Sequence, residues 1–383
     1  MRLLVVDDLE INRDLLLRRV RRLGHDAEAA ANGREALEML RASPWDLVLL
    51  DITMPEMDGY DTLGHIKADP QLARTRVVMV SAIGEADSVT RCLELGADDY
   101  LTKPFNPAIL QARIESSLAK KRLEDQQALL LQALSREMAI GQRIQQGFLP
   151  DAMPQLAGWD LAGHCLPARN VSGDFYDAFV LPSGCLALVI ADVCDKGVGA
   201  ALYMALFRTL LRAMSCHATA EEAPATTLAR TVRFTNDYIA TVHGRDNMFA
   251  TVFFAILDPR SGRLDYLNAG HEAPVIRRRG GGPLARLRAG VGAVGLFPAI
   301  HCQVETTALA PGDCLLAFTD GVTDALGPSG SFGEAALLEA IAAQVPPGAA
   351  GVLDSIHARL ARHVGDASPQ DDITLLCAVR QAG

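Results

Sequence analysis

The chain has 383 residues, 49% of them hydrophobic and 21% charged, and its formal net charge is −10. This length and composition predict two or three globular domains and exclude a disordered chain. The acidic balance argues against a general nucleic-acid-binding protein, because such proteins usually present a basic face. Eight cysteines without a C-x-x-C pair, no leader-like start and no apolar run long enough for a bilayer predict a soluble cytoplasmic protein without membrane contact.

The first 118 residues alternate short apolar runs with segments of helical periodicity. The predicted strands are Leu3–Val6, Ala27–Ala31, Asp46–Leu50, Val77–Val80 and Asp98–Leu101. The helical segments between them include Ile11–Leu23, Arg34–Leu40 and Ser88–Leu95. Five such βα repeats predict a doubly wound parallel sheet with helices on both faces, an α/β fold.

Polar side chains follow the strands of this predicted sheet at the points where the strands end. Asp7 and Asp8 follow the first strand, Asp51 the third and Ser81 the fourth, and Lys103 follows the fifth. In a parallel sheet these ends meet at one edge. Three carboxylates at such an edge would bind Mg²⁺, with the lysine as the counter-charge for an added anion.

The motifs that carry these residues are V-V-D-D, L-L-D-I-T-M-P-E-M-D-G, V-S-A and T-K-P-F. They resemble the receiver domain of bacterial two-component response regulators. The resemblance implies that Asp51 is the phosphoacceptor and that a sensor histidine kinase phosphorylates it. It also implies that Mg²⁺ is held by Asp7, Asp8, Asp51 and the carbonyl group of Thr53.

The same resemblance implies three switch residues. Ser81 would hydrogen-bond the phosphoryl group, Lys103 would pair with its charge, and the rotamer of Tyr100 would follow phosphorylation. Ser81 stands where threonine is commoner in the family. The peptide bond before Pro104 is expected to be cis.

Residues 119–148 are predicted to form a helical linker. The segment from Lys120 to Gln146 contains no proline and a single glycine, Gly141, which lowers helix stability and could mark a hinge. Apolar residues lie near one stripe, at Leu130, Leu134, Met138, Ile144 and Phe148. The stripe predicts a parallel coiled coil in a homodimer, and a helix packed on its own domain stays the alternative. The segment R-I-Q-Q-G-F-L-P resembles the signalling helix that precedes many regulated phosphatase domains.

Residues 149–383 show a different order of elements. Strands are predicted at Leu186–Ala191, Ala250–Leu257, Leu264–Leu267, Cys314–Phe318 and Ile373–Val379. Helices are predicted near 198–215, 224–240, 333–343 and 350–363. Consecutive strands joined by short turns predict an α/β sandwich of two antiparallel sheets flanked by helices.

Four acidic motifs stand at the ends of apolar runs in this segment. They are V-S-G-D-F-Y-D at 171–177, A-D-V-C-D-K-G at 191–197, T-D-G at 319–321 and D-D-I-T at 371–374. Carboxylates gathered from distant parts of a chain repel one another unless a cation lies between them. Hard oxygen ligands suit Mg²⁺ or Mn²⁺, and two such ions would form a hydrolytic centre for phosphate esters.

Three further motifs lie between the acidic ones: M-F-A-T-V-F-F at 248–254, N-A-G-H at 268–271 and F-G-E at 332–334. In this order the motifs resemble the SpoIIE/RsbU class of metal-dependent PPM-type serine/threonine phosphatases. The resemblance implies a catalytic centre with two Mn²⁺ or Mg²⁺ ions bridged by Asp192. Its ligands would include Asp192, Asp320, Asp371 and the carbonyl group of Val193, and Asp174 would bind a metal ion directly or hold metal-bound water.

The remaining polar residues of these motifs receive weaker predictions. Asp372 is expected to support the site and not to bind metal, and Asp177 is a weaker candidate for direct involvement. His271 could protonate the leaving group or hold a turn. Asp195 stands where the family commonly has glycine and adds negative charge beside the metal loop.

These parts predict a response regulator in which phosphorylation of Asp51 controls a serine/threonine phosphoprotein phosphatase. By resemblance, the substrate is a phosphorylated anti-sigma-factor antagonist, a small STAS-domain protein. The alternative is a non-catalytic adaptor that binds a partner through a phosphatase-like domain. A DNA-binding output is excluded, because no helix-turn-helix pattern with a basic recognition helix follows the first domain.

Overall fold

The computed structural model describes residues 1–82, 86–104, 106–328, 330–342, 348–365, 367 and 369–382. The contacts within the chain divide it into two units, Met1–Leu134 and Ser135–Gly383. No helix in the described part of the chain is long and apolar enough to cross a membrane.

The first unit is built on a parallel five-stranded sheet with the strand order β2-β1-β3-β4-β5. The strands are β1 (Arg2–Val6), β2 (Asp26–Ala30), β3 (Leu47–Asp51), β4 (Arg76–Ala82) and β5 (Asp99–Lys103). The helices are α1 (Glu10–Arg22), α2 (Gly33–Ala42), α3 (Gly59–Ala68), α4 (Ala86–Glu94) and α5 (Pro107–Gln146). Every residue of β3 is buried, because helices cover both faces of the sheet. The predicted doubly wound sheet is confirmed.

Helix α5 is a single helix of 40 residues. Its first turns bury Leu110, Ile114 and Leu118 against the parallel sheet. A linker starting at residue 119 would begin inside this helix, because the segment between Pro107 and Pro150 contains no proline to end it. Gly141 lies in the helix interior. The domain limits at 118 and 148 stay predictions.

The second unit contains two antiparallel five-stranded sheets and a small hairpin. The strands are β6 (Trp159–Leu166), β7 (Phe175–Val180), β8 (Leu186–Val193), β9 (Ala250–Leu257), β10 (Arg263–Ala269), β11 (Val275–Arg277), β12 (Ala285–Arg286), β13 (Glu305–Ala308), β14 (Cys314–Phe318), β15 (Leu326–Gly327), β16 (Gly330–Ser331) and β17 (Ile373–Arg380). The helices are α6 (Val198–Cys216), α7 (Pro224–Val242), α8 (Asp320–Thr323), α9 (Gly333–Ala342) and α10 (Ala349–Val364). The sheet orders are β13-β10-β9-β8-β7 and β12-β11-β14-β17-β6, with β15 paired to β16.

The two sheets share one buried core, and helices cover their outer faces. Leu188 and Ile190 of β8 pack in the same cluster as Leu315 of β14 and Leu376 of β17. The alternate residues of β8, such as Val189, pack instead in the cluster that contains α6 and α7. Helices α9 and α10 cover the other sheet. Side chains alternate between the two faces of a strand, so a strand covered on both faces is apolar throughout. The predicted sandwich is confirmed.

Candidate phosphoacceptor site and candidate metal centre

The acidic cluster of the first unit lies at the carboxyl ends of β1 and β3. Oxygen atoms of Asp7, Asp8 and Asp51 all lie within 4.8 Å of one another. Lys103, at the end of β5, donates hydrogen bonds from Nζ to Asp7 Oδ2 and Asp51 Oδ1, each at 2.8 Å. Two of the three carboxylates, those of Asp7 and Asp51, are buried. One ammonium group therefore faces three clustered carboxylates.

The charges in this cluster shift two pKa values. Burial raises the pKa of Asp51, the hydrogen bond and charge of Lys103 oppose that rise, and the charges of Asp7 and Asp8 add to it. Burial alone would lower the pKa of Lys103, but its hydrogen bonds to Asp51 and Asp7 outweigh burial and raise it. An all-carboxylate oxygen set with residual negative charge fits a hard divalent cation such as Mg²⁺.

The other predicted receiver residues lie on or just beyond strands β3, β4 and β5. Ser81 follows Val80, the β4 residue paired with Asp51, and is buried. Thr53 lies just beyond β3 and is exposed. Tyr100 is the second residue of β5, beside Met79, and packs against the core.

Two backbone features shape the same edge. The Lys103–Pro104 peptide bond is cis, as predicted. A Cβ on Gly59 would lie 2.2 Å from the Asp51 carbonyl oxygen, so the D-G motif needs glycine where α3 begins against β3. The structure thus explains why the acidic strand end is followed by this motif.

The four acidic motifs of the second unit converge at one end of the sandwich. Asp192 is the seventh residue of β8, and Asp174 directly precedes β7, whose Phe175 pairs with Ala191. Asp320 begins α8 just after β14, and Asp371 precedes β17. The register Phe318↔Leu375 places these last two segments side by side.

The four carboxylates act on one another electrostatically. Burial raises the pKa of Asp192 to about 7, and the charges of Asp320 and Asp371 add to the rise. Burial also raises the pKa of Asp174 well above its usual value, reinforced by the charge of Asp192. For Asp320, burial and then the charge of Asp371 raise the pKa. Repulsion of this kind is what a bound cation would relieve.

The spacing of these carboxylates differs from that of the receiver cluster. Among the described residues, no three of them bring oxygen atoms within 4.8 Å of each other, as Asp7, Asp8 and Asp51 do. The donor chemistry fits Mg²⁺ or Mn²⁺, because every side-chain donor is a carboxylate oxygen.

Lys196 supplies a positive charge to this site. Its Nζ donates to Asp371 Oδ2 at 2.7 Å and to the Gln370 carbonyl oxygen at 3.0 Å. The loop that carries it follows β8 and contains Asp195, whose φ of 73° lies in the left-handed region that favours glycine. The family's commoner glycine at 195 would fit that conformation without strain.

Asp372 is an anchor for the loop between β6 and β7. Its Oδ1 accepts a hydrogen bond from the Ala168 N–H at 2.7 Å. Its Oδ2 accepts from the Ser172 hydroxyl and from the Gly173 N–H, both at 2.8 Å. With three donors on its oxygens, Asp372 holds the segment that ends at Asp174.

Asp177 faces away from the four carboxylates and binds helix α6. Arg212 Nη1 donates to Asp177 Oδ1 at 2.8 Å, and Arg208 Nη2 lies 3.1 Å from Asp177 Oδ2. The Asp177 side chain is 1% exposed. Its partners are therefore the two guanidinium groups.

His271 is buried and neutral. Burial lowers its pKa to about 3. Its Nδ1 shares a hydrogen bond of 2.8 Å with Thr251 Oγ1, and its backbone N–H donates to Asn268 Oδ1 at 2.9 Å. A neutral imidazole with these hydrogen bonds fits a residue that holds the turn after β10, and it is a weak acid at neutral pH.

Gly321 brings two of the acidic segments into backbone contact. A Cβ at this position would lie 2.0 Å from the Asp372 carbonyl oxygen. The preceding Thr319 also joins the motifs, because its Oγ1 donates to Asp174 Oδ2 at 2.7 Å and accepts from the Thr374 N–H at 3.0 Å.

Comparison with known proteins fits this geometry. Residues 182–381 match the family model of stage II sporulation protein E (SpoIIE), and residues 3–115 match that of the response regulator receiver domain. The SpoIIE match covers more than half of the chain. The chain belongs to the SpoIIE family. It joins a response regulator receiver domain to a PPM-type phosphatase domain, here called the SpoIIE domain.

Individual relatives match parts of the chain. Protein IcfG of Synechocystis sp. is 41% identical over 268 residues, which cover 64% of this chain and 41% of IcfG. The probable transcriptional regulator ycf27 of Cyanophora paradoxa is 38% identical over 149 residues, 39% of this chain and 57% of that protein. The chain thus spans about two fifths of the first relative's length and just over half of the second's.

A solved structure shows the same fold for the SpoIIE domain. The SiaA-PP2C domain of Pseudomonas aeruginosa superposes with a TM-score of 0.57 at 20% sequence identity. The match covers 66% of this chain and 99% of that domain.

Sequence reasoning missed three residues that hold the SpoIIE site together: Lys196, Thr319 and Gln145. Lys196 and Thr319 lie inside the acidic motifs, so their place beside an aspartate was the available signal. Gln145 lies on α5, and its side chain hydrogen-bonds the backbone of Ser172. A glutamine on a helix gives no such signal, because it usually faces solvent.

Proposed function

We propose that the SpoIIE domain is a metal-dependent phosphatase that hydrolyses phosphoserine or phosphothreonine esters. The observation that carries this proposal is the convergence of Asp174, Asp192, Asp320 and Asp371 at one end of the sandwich, with raised pKa values where burial and mutual charge act. These carboxylates and the Val193 carbonyl group would hold two Mn²⁺ or Mg²⁺ ions. Such ions supply a nucleophilic water at neutral pH and neutralise charge on the phosphoryl oxygens.

The protein's own groups fix this arrangement. Thr319 holds the Asp174 carboxylate from the opposite sheet, and Asp372 holds the loop that leads to it. His271 positions a turn and does not act as the general acid, since its pKa of about 3 leaves it unprotonated. The proton for the leaving alkoxide therefore has to come from another donor, such as solvent.

We further propose that a sensor histidine kinase phosphorylates Asp51. Asp7, Asp8, Asp51 and the Thr53 carbonyl group would hold the Mg²⁺ that this transfer needs. Ser81 would hydrogen-bond the phosphoryl group. Lys103 would give up one of its hydrogen bonds to the carboxylates and pair with the phosphoryl group, and the rotamer of Tyr100 would change with phosphorylation. The proposal is supported by the three clustered carboxylates and by the receiver-domain match.

A homodimer through α5 is part of the proposal. Leu130, Leu134 and Ile144 of the predicted stripe are 64%, 52% and 62% exposed, whereas Met138 is half-buried and Phe148 packs against the core of the SpoIIE domain. The exposed Leu130 and Leu134 favour a second copy of the helix as the partner of this part of α5, and the end of the helix packs on its own chain. Dimer geometry would then carry the receiver's state along α5.

The proposed substrate is a phosphorylated anti-sigma-factor antagonist of the STAS type. Membership of the SpoIIE family supports this substrate class. Its dephosphorylation would change which partner it binds and so release a sigma factor. The non-catalytic adaptor is the competing function.

The test is phosphate release from para-nitrophenyl phosphate and from a phosphoserine protein, with Mn²⁺ or with EDTA. Asp192→Asn keeps the side-chain shape, and the exposed Asp354→Asn is the matched control. Changes around a metal ligand cost up to roughly 100-fold, so the loss at Asp192 should be at least that large. Equal rates of phosphate release by wild type and Asp192→Asn would contradict the proposed phosphatase activity. Partner binding without turnover by any variant would identify the adaptor.

A further inference from the structure

Gln145, in the last turn of α5, has a buried polar side chain, although the residues next to it are exposed. It is 9% exposed, whereas Arg143, Ile144 and Gln146 are exposed. Its Nε2 donates to the Ser172 carbonyl oxygen at 2.6 Å, and its Oε1 accepts from the Ser172 N–H at 2.9 Å. Two antiparallel hydrogen bonds to one residue fix both the distance and the orientation of that residue's backbone.

Ser172 passes this constraint to the acidic site. Its hydroxyl donates to Asp372 Oδ2 at 2.8 Å and accepts from the Asp174 N–H at 3.0 Å. Gly173, between Ser172 and Asp174, lies close to the metal loop, because a Cβ on it would lie 2.9 Å from the Val193 carbonyl oxygen. A continuous run of hydrogen bonds thus joins the end of α5 to the backbone of Asp174 and to the anchor Asp372.

The loop between β6 and β7 depends on this link. Residues 167–174 lie outside both strands, so Ser172 has no strand partner for its N–H and carbonyl groups. The amide of Gln145 takes the place of such a partner. The loop is therefore held by a helix and not by a neighbouring strand, and this helix begins at Pro107, in the receiver.

We propose that Gln145 is a positioning residue that couples α5 to the SpoIIE site. Its amide sets the position of the segment that ends in Asp174. A displacement or rotation of the α5 end would move that segment and change the affinity of the site for divalent cations. The inference rests on the proposed metal-dependent function, and it adds the residue through which the receiver would act.

The test uses the full chain and Mn²⁺ binding measured by calorimetry, with and without beryllofluoride on the receiver. Gln145→Met keeps the length and volume of the side chain and removes both hydrogen bonds. Gln146→Met makes the same change on the exposed neighbour and is the matched control. Loss of an outer-shell partner costs about 10- to 100-fold in metal affinity, so we expect at least a tenfold rise in the Mn²⁺ Kd for Gln145→Met.

The remaining readouts separate positioning from general stability. We expect kcat on para-nitrophenyl phosphate to recover at saturating Mn²⁺ and the beryllofluoride response of the Kd to disappear. An unchanged Mn²⁺ Kd with a kept beryllofluoride response would overturn the proposal, even if thermal stability fell. If Gln145→Met loses its fold, Gln145→Asn, whose amide is one methylene too short, is measured in its place. Wild type that binds Mn²⁺ only at the receiver site would instead refute the proposed function itself.

Discussion

The ammonium group of Lys196 lies 2.7 Å from Oδ2 of Asp371. It therefore pairs with a carboxylate that the proposed metal centre requires as a ligand. An incoming cation has to displace it, so the lysine competes with metal. The Lys196 side chain is 41% exposed, which places the pair among partly solvated ion pairs of at most about 1 kcal/mol. We therefore expect Lys196→Met to tighten Mn²⁺ binding up to about fivefold in calorimetry. The difference should shrink in high salt. Weaker binding in the variant would show that Lys196 orients Asp371 for the metal.

The stability of the metal-free protein should fall as the pH rises through neutrality. Burial and neighbouring charge raise the pKa of Asp192 to about 7, and the pKa of Asp174 is raised too. A carboxyl group with a raised folded-state pKa contributes stability at low pH, and this contribution is lost as the pH rises from about 4 through about 7. We expect the increase in Tm caused by Mn²⁺ over EDTA to be larger at pH 8 than at pH 5.5. Asp192→Asn should flatten that difference, and an equal increase at both pH values would contradict the expectation.

Asp177 should matter for folding and not for metal binding. Its buried carboxylate pairs with Arg208 and Arg212, and removing it leaves the two guanidinium groups facing each other. Breaking a buried pair costs about 3–5 kcal/mol, and the partial exposure of Arg212 lowers the expected loss to about 2 kcal/mol. Urea unfolding of Asp177→Asn measures this loss. Its Mn²⁺ Kd should equal that of wild type, and a tenfold higher Kd would show that Asp177 contributes to metal binding.

Asp195 should carry backbone strain that glycine relieves. Its φ of 73° is unfavourable for a residue with a Cβ, and Asp195→Gly should gain about 1 kcal/mol in urea unfolding. Ala299, with a φ of 63°, offers the matched control, because Ala299→Gly should stabilise the protein without a change in metal affinity. A destabilised Asp195→Gly would mean that the hydrogen bond from the Lys196 N–H to Asp195 Oδ1 outweighs the strain.

The sequence predicts best the strands that are buried on both faces. β3 and β8 are apolar throughout because layers cover both sides of them, and a continuous apolar run is visible without a structure. The edge strand β6 is half exposed, and its mixture of apolar and polar residues gave no such pattern. The short strands β11 to β13 were missed for a similar reason, since two to four residues cannot display a period. Strand β7 was missed although five of its six residues are buried, because Asp177 interrupts its apolar run.

In the candidate sites, the sequence predicts the aspartates of the motifs but not the residues that hold them in place. Motifs identify aspartates such as Asp51 and Asp192, because each lies at the end of a buried strand. The partners that hold them come from elsewhere in the chain, and only the fold brings Lys196 to Asp371 or Gln145 to Ser172. The junction of the receiver with the linker was also hidden. One unbroken helix has the same composition as two helices in sequence, so α5 could not be distinguished from a separate linker.

The close approach at Gly321 has a consequence for reading related sequences. The 2.0 Å gap between its missing Cβ and the Asp372 carbonyl oxygen leaves no space for any side chain. A homologue could keep all four aspartates and still lose the site if a larger residue stood here, because two of them would be pushed apart. A search for the four aspartates alone would then fail to identify such a homologue as inactive. The glycine that ends the third acidic motif is therefore the position that distinguishes a chain able to form the site from one that cannot.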